Sequence, residues 1–177
     1  RWHGRVSASC CMMIHRLVIL SAACLLARIL SAHTVPTITV EAEFSAGREV
    51  TLRVNLDPRL FLSAQPTSLP PVPAAWWFDQ NEEERAKSLA AGESYVAKTI
   101  RFQVGESPLD GKWNVVTIDS ASAFPLGPNS AEAHLLAEHR GPLPDVAGDF
   151  KVTLDERAAV GLILLNSAEG RPERHPQ

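Results

Sequence analysis

The segments TITVEAEF (Thr37–Phe44) and EVTLRVNLD (Glu49–Asp57) alternate apolar and polar residues almost without fault. Ile38, Val40, Ala42 and Phe44 point one way in the first. Val50, Leu52, Val54 and Leu56 do the same in the second, against Glu49, Thr51, Arg53, Asn55 and Asp57. Successive side chains leave a strand on opposite faces, so this pattern predicts two strands, each with one buried and one wet face. The link Ser45-Ala46-Gly47-Arg48 predicts a four-residue hairpin loop, with Gly47 available for a positive φ.

The rest of the chain supplies further strands. Residues 63–75 hold four prolines, which exclude an inner strand and predict a long loop into Trp76-Trp77-Phe78. Asp79 with Glu82 three residues on predicts a helix start, Gly92 a stop, and a thin stripe of Ala86, Leu89 and Ala90 a helix on the outside of the sheets. Strands are predicted at Ile100–Val104, at Trp113–Asp119 after the Asp110-Gly111 turn, and at Phe150–Asp155. The continuously apolar Ala159–Asn166 reads as a strand covered on both faces. Residues 130–140 carry helix formers, a Ser130 cap and a Gly141-Pro142 stop, yet Ala133, Leu135 and Ala137 also alternate with Glu132, His134 and Glu138. The position between strands with short connections favours a strand there. Six or seven strands with one inserted helix predict a mainly all-β fold, an immunoglobulin-like β-sandwich over residues 33–169, with 170–177 as a tail or linker.

Ahead of this body lies a different kind of sequence. Arg16, the apolar run Leu17–Ala27 and the tripeptide Leu30-Ser31-Ala32 have the layout of a secretory signal, and cleavage is expected after Ala32. Eleven apolar residues fall short of the roughly 20 that a bilayer span needs. A buried N-terminal helix and a retained anchor are the alternatives, because a uniformly apolar run has no period. Cys10, Cys11 and Cys24 all lie within residues 1–32, so the 145 residues that follow contain no cysteine and no disulfide. The same segment carries four arginines and no acid, which leaves 13 basic against 20 acidic residues in the body. That net of −7 argues against nucleic acid and anionic lipid as partners and fits an exported domain on the periplasmic or extracellular side of a membrane.

The order of these features resembles the extracytoplasmic N-terminal domain of HupE/UreJ-type membrane proteins. The matching elements are the signal ending in Ser31-Ala32-His33, the hairpin TITVEAEF…EVTLRVNLD and the helical insert Asp79–Ala91. After them come KTIRFQVGESPLDG, HLLAEHRGPLP and the closing pair FKVTLD and AVGLILLN. The resemblance spans most of residues 31–169. It implies a partner, a C-terminal bundle of membrane helices whose His and Asp residues handle nickel or related metals. No residue of that bundle lies in this sequence, so no metal ligand is carried over, and the reading frame is expected to continue past Gln177. Some relatives place a calcium-loop-like turn at the insert; here DQNEEERAKSLA has Glu84 where that loop needs Gly and Ala90 where it needs a bidentate Glu.

Three functions are weighed. No nucleophile elbow, HExxH or Gly-rich phosphate loop occurs, so a non-enzymatic exported domain of the HupE/UreJ-like kind is the expectation. The first alternative is a periplasmic copper-binding protein, in which His33, exposed by cleavage, chelates copper through its amine and imidazole. That needs a second imidazole from His134, His139 or His175, and a spacing of five sets His134 and His139 on opposite faces of a strand. The other alternative is a recognition module with Trp76 and Trp77 as an aromatic platform. On an extended chain they point oppositely, one into the core and one outward.

Overall fold

The computed structural model describes residues 35–156, 158, 160–168 and 171–172, all within the compact unit 34–177. The expected signal segment with its three cysteines, His33 and His175 lie outside the described residues.

The protein is mainly β, with two sheets. Strands β1 (Thr37–Phe44) and β2 (Glu49–Leu56) form the expected antiparallel hairpin, with Val40 opposite Val54 and Ala42 opposite Leu52. The loop differs in one detail. Arg48, not Gly47, takes the positive φ (56°), and its N–H donates to the Ser45 carbonyl to close the turn. Strands β5 (Asn114–Asp119), β6 (Ala133–Pro142), β8 (Gly161–Ala168) and β9 (Arg171–Pro172) extend the hairpin into a six-stranded sheet of order β5-β6-β2-β1-β8-β9. Strands β3 (Ile100–Val104), β4 (Ser107–Pro108) and β7 (Phe150–Leu154) make a second sheet of order β4-β3-β7.

The core is the apolar face of the hairpin, as its alternation predicts. Ile38, Val40, Val50, Leu52, Val54 and Leu56 are fully buried and share one cluster with Ile100, Phe102 and Val104 of β3. Aromatic rings join the sheets. Phe150 of β7 meets Phe44 of β1 edge-on at 5.2 Å between centroids and stacks on Phe102 at 6.4 Å, while Phe102 lies 5.5 Å from Trp113. Residues 133–142 are a strand: Ala133, Leu135, Ala137 and His139 are buried in alternation. Pairing with β2 on one side and β5 on the other overrides their helix propensity.

The helices depart from the expectation in number, position and extent. A four-residue helix α1 (Arg59–Leu62) follows β2. Trp76 and Trp77 lie in a short helix α2 (Ala74–Phe78), not on extended chain, and Asp79 ends that helix. Asp79 is therefore unavailable as the cap of the next one. Helix α3 (Glu82–Thr99) starts two residues later, with Asn81 accepting from the Glu84 N–H and the Glu84 carboxylate accepting from the Asn81 N–H. Gly92 does not stop α3; it sits inside it, buried, where an added Cβ would stand 2.6 Å from Leu135 Cδ1. The first half of α3 is exposed, but Gly92 and Val96 lean into the core against β5 and β6, so the helix is not wholly outside the sheets.

Strand β8 also departs from its expectation of cover on both faces. It runs parallel to β1 at the rim of the large sheet, and Leu162, Ile163, Leu164 and Leu165 are 38%, 48%, 41% and 50% exposed. Among the described residues, β9 pairs only with Ser167 and Ala168.

Candidate functional site

The outer face of the hairpin strands is polar, as their pattern requires, and with β6 it organises into two zones. Around Arg53 the groups neutralise one another on the surface. Arg53 Nε donates to Glu138 Oε2 at 2.8 Å and Nη1 reaches Glu43 at 3.4 Å, which raises the Arg53 pKa through the Glu138 bond first. Arg140 donates to Glu49 at 2.6 Å nearby.

The second zone lies where β2 ends. The Asp57-Pro58-Arg59 turn folds the chain back, and both ionic residues are buried at 3% exposure. Asp57 Oδ1 accepts the backbone N–H of Arg59 at 2.9 Å, and Oδ2 accepts Nε at 2.8 Å and Nη2 at 2.6 Å. Arg59 Nη1 donates to the Leu69 carbonyl at 3.0 Å and so ties the proline-rich loop to the end of β2. Beside this pair, Nδ1 of His134 lies 2.7 Å from Asn55 Oδ1. With that oxygen as acceptor, Nδ1 carries the proton and Nε2 remains an acceptor. Burial lowers the His134 pKa most, Asp57 and Glu132 oppose the shift, and Arg59 adds to it. His134 is therefore neutral near pH 7.

These residues, with Thr37, Thr39, Ser120 and Glu132, line an open cleft of about 320 Å³ whose rim includes Ile163 of β8. Other clefts of comparable volume lie elsewhere, one of about 310 Å³ beside Tyr95 and Lys98 and one of about 350 Å³ beside Trp113. The His134 cleft differs from those two in combining an imidazole with a buried ion pair. Its chemistry is hydrogen bonding from hydroxyls, an amide, a neutral ring and the Glu132 carboxylate, which accepts from Ser120 Oγ at 3.3 Å. The buried carboxylate and guanidinium are directed at each other.

The residues singled out from sequence fall in separate places. His134 faces this outer cleft, whereas His139 lies on the inner face, 5.5 Å from the Trp113 ring centroid and bonded to the Lys112 carbonyl. The two imidazoles therefore do not converge. Trp76 and Trp77 are half-buried, with centroids 6.3 Å apart, and the Arg85 guanidinium sits 5.5 Å from the Trp77 ring. Among the described residues no group of three or more His, Cys, Asp or Glu side chains is placed to hold a metal ion, and no helix is long and apolar enough to cross a membrane. The Asp57–Arg59 pair and the Asn55–His134 bond escape sequence reasoning. Asp-Pro after a strand signals a turn, but nothing local reports that the charges become buried. No known family model matches this chain, and no curated protein matches it either.

Proposed function

We propose that this chain is a non-enzymatic, exported β-sandwich domain of the immunoglobulin-like kind, the outward-facing domain of a HupE/UreJ-like membrane protein. The observation that carries the reading is strand order. The run β5-β6-β2-β1 follows the D-E-B-A order of an immunoglobulin-like sheet, and β4-β3-β7 follows C′-C-F of the facing one. Strand β8 takes the place of the last strand, G, and pairs in parallel with β1. Helix α3 is inserted between the second and third strands, where the resemblance puts its helical insert. A non-catalytic role is supported by the way two ionic groups of the His134 cleft, Asp57 and Arg59, are directed at each other.

Export and the partner domain have separate tests. The full chain is expressed in a bacterial host, the cells are fractionated, and the exported product is sequenced from its N-terminus. A start at His33 is expected; a product that retains Leu17–Ala27 would overturn the export reading. Genomic sequence downstream of Gln177 is expected to continue into apolar helices, and a stop codon there would remove the membrane partner.

A second reading, an aromatic recognition module, is favoured by the exposure of Phe78 (39%) beside Trp76 and Trp77 on one short helix. Its test is glycan or protein capture lost on Trp76→Ala with unchanged thermal stability. Capture that survives the substitution would dismiss it.

A further inference from the structure

Strand β8 has the properties of an unfinished sheet position. Proteins guard strand edges with charge, proline, shortness or a covering loop. The other edges here are guarded. The loop Phe124–Leu126 bonds along β5 through Asp119 N–H to the Phe124 carbonyl and Leu126 N–H to the Thr117 carbonyl. Strand β4 is two residues long and ends in Pro108, and β7 carries Lys151. Strand β8 has no charge and no proline from Gly161 to Ala168, and among the described residues β9 covers only its last two residues.

The backbone of that edge is also ordered. The Gly161 N–H donates to the Pro36 carbonyl on the β1 side. Strand backbone groups alternate in direction, so residues 161, 163 and 165 address β1, and Leu162, Leu164 and Asn166 direct N–H and C=O to the open edge. On the side chains, Leu162 and Leu164 share the inner face with Ile38 and Val40, while Ile163 and Leu165 share the outer face with Thr39 and Glu41. The edge is thus apolar on both faces.

We propose that β8 is a self-pairing edge through which two copies of this chain join, antiparallel, about a twofold axis at Ile163. Only registers that keep faces matched are allowed, and this one satisfies the backbone groups of β8 that have no partner among the described residues. Leu162 of each copy exchanges both hydrogen bonds with Leu164 of the other, and Ile163 meets its own copy as a non-hydrogen-bonded pair. Every facing pair within residues 161–165 is uncharged, so no like charges oppose. The four exposed side chains offer on the order of 350 Å² per copy, the size at which an apolar patch marks an interaction site. Two copies bring together on the order of 700 Å², below the roughly 1,200 Å² of a stable interface. The dimer is therefore concentration-dependent.

The register gives a direct test. In the full chain with Cys10, Cys11 and Cys24 replaced by serine, Ile163→Cys is compared with Leu165→Cys, an equally exposed position on the same face. Across the axis two copies of residue 163 stand about 4.5 Å apart at Cα, within disulfide reach. Copies of residue 165 stand about 13 Å apart along the strands, beyond it. Mild oxidation is expected to give several-fold more covalent dimer from Ile163→Cys, and Ile163→Lys in the wild-type chain is expected to shift sedimentation to monomer with unchanged circular dichroism. Equal crosslinking at both positions, or none at either, would overturn the proposal. So would a wild-type chain that sediments as monomer at every concentration, which would leave the edge to a partner of other sequence.

Discussion

Strands β2 and β8 are both rich in large aliphatic residues, yet they occupy opposite situations. Strand β2 lies between β1 and β6, its alternate residues reach zero exposure, and its polar residues form the outer face. Strand β8 has apolar residues at every position from 162 to 165, and all four are partly exposed. Alternation specifies which face is covered and so fixes register, because a slip by one residue would turn every side chain to the wrong face. A uniform run carries no such instruction. It packs wherever the chain has an open position, and here that position is the rim beside β1.

The sharpest way to break this comparison is to put the same charge in both strands. Val54→Asp places a carboxylate in the cluster shared by both sheets and should cost on the order of 4 kcal/mol, a large part of a domain's total stability. Leu164→Asp should cost about 1 kcal/mol or less, since the side chain reaches water. Equal urea midpoints for the two variants would mean that β8 is as enclosed as β2.

The two polar zones of the outer face allow a parallel contrast. Asp57→Asn removes the charge that faces the buried Arg59 guanidinium and should cost about 3 kcal/mol or more. Arg53→Gln breaks bonds between groups that are each more than a third exposed, and should cost about 0.5 kcal/mol. Chemical denaturation of both variants checks the order; similar losses would contradict the burial assigned to Asp57 and Arg59. Gly92→Ala reverses the usual rule. A helix interior normally gains up to about 1 kcal/mol from this change, but here the new methyl meets Leu135 Cδ1. A net loss of about 1 kcal/mol is expected from overpacking, and a rise in melting temperature would refute the close approach of α3 to β6.

A smaller effect concerns pH. Burial lowers the His134 pKa in the folded state, so the unfolded chain binds a proton more readily. The stabilisation from holding this ring neutral is complete above the unfolded value near 6.5 and is lost as pH falls from there toward the lower folded value. In His134→Gln that part of the pH dependence should disappear. Identical profiles for variant and wild type below pH 6.5 would show that the ring titrates freely.

What could be read in advance follows from how far each signal reaches along the chain. The hairpin itself is legible because both strands alternate and the loop is short, whereas its register, with Val40 opposite Val54, is set by the paired strands in the fold. Residues 133–142 were legible as a strand only through their neighbours, since their own propensity favours helix. The start of α3 lies two residues beyond its expected cap because Asp79 with Glu82 and Asn81 with Glu84 are equally good pairs in sequence; the choice depends on α2 occupying Asp79. The stop expected at Gly92 fails because the partner of this glycine, Leu135, is 43 residues away in the chain. In the candidate site the same limit holds. Asn55 and His134 are 79 residues apart, and their bond exists only because β2 and β6 are adjacent.

Strand β2 is a finished inner strand, and β8 is bonded to β1 on one side and, among the described residues, open along Leu162–Leu164 on the other. Amide hydrogen exchange on dilute protein, resolved residue by residue, tests this contrast most directly. The account predicts uniformly slow exchange along Val50–Leu56 and an alternating pattern on β8, with Ile163 and Leu165 protected by β1 while Leu162 and Leu164 exchange fast. Uniform protection along β8 under these conditions, or exchange in β2 as fast as at Leu164, would contradict it.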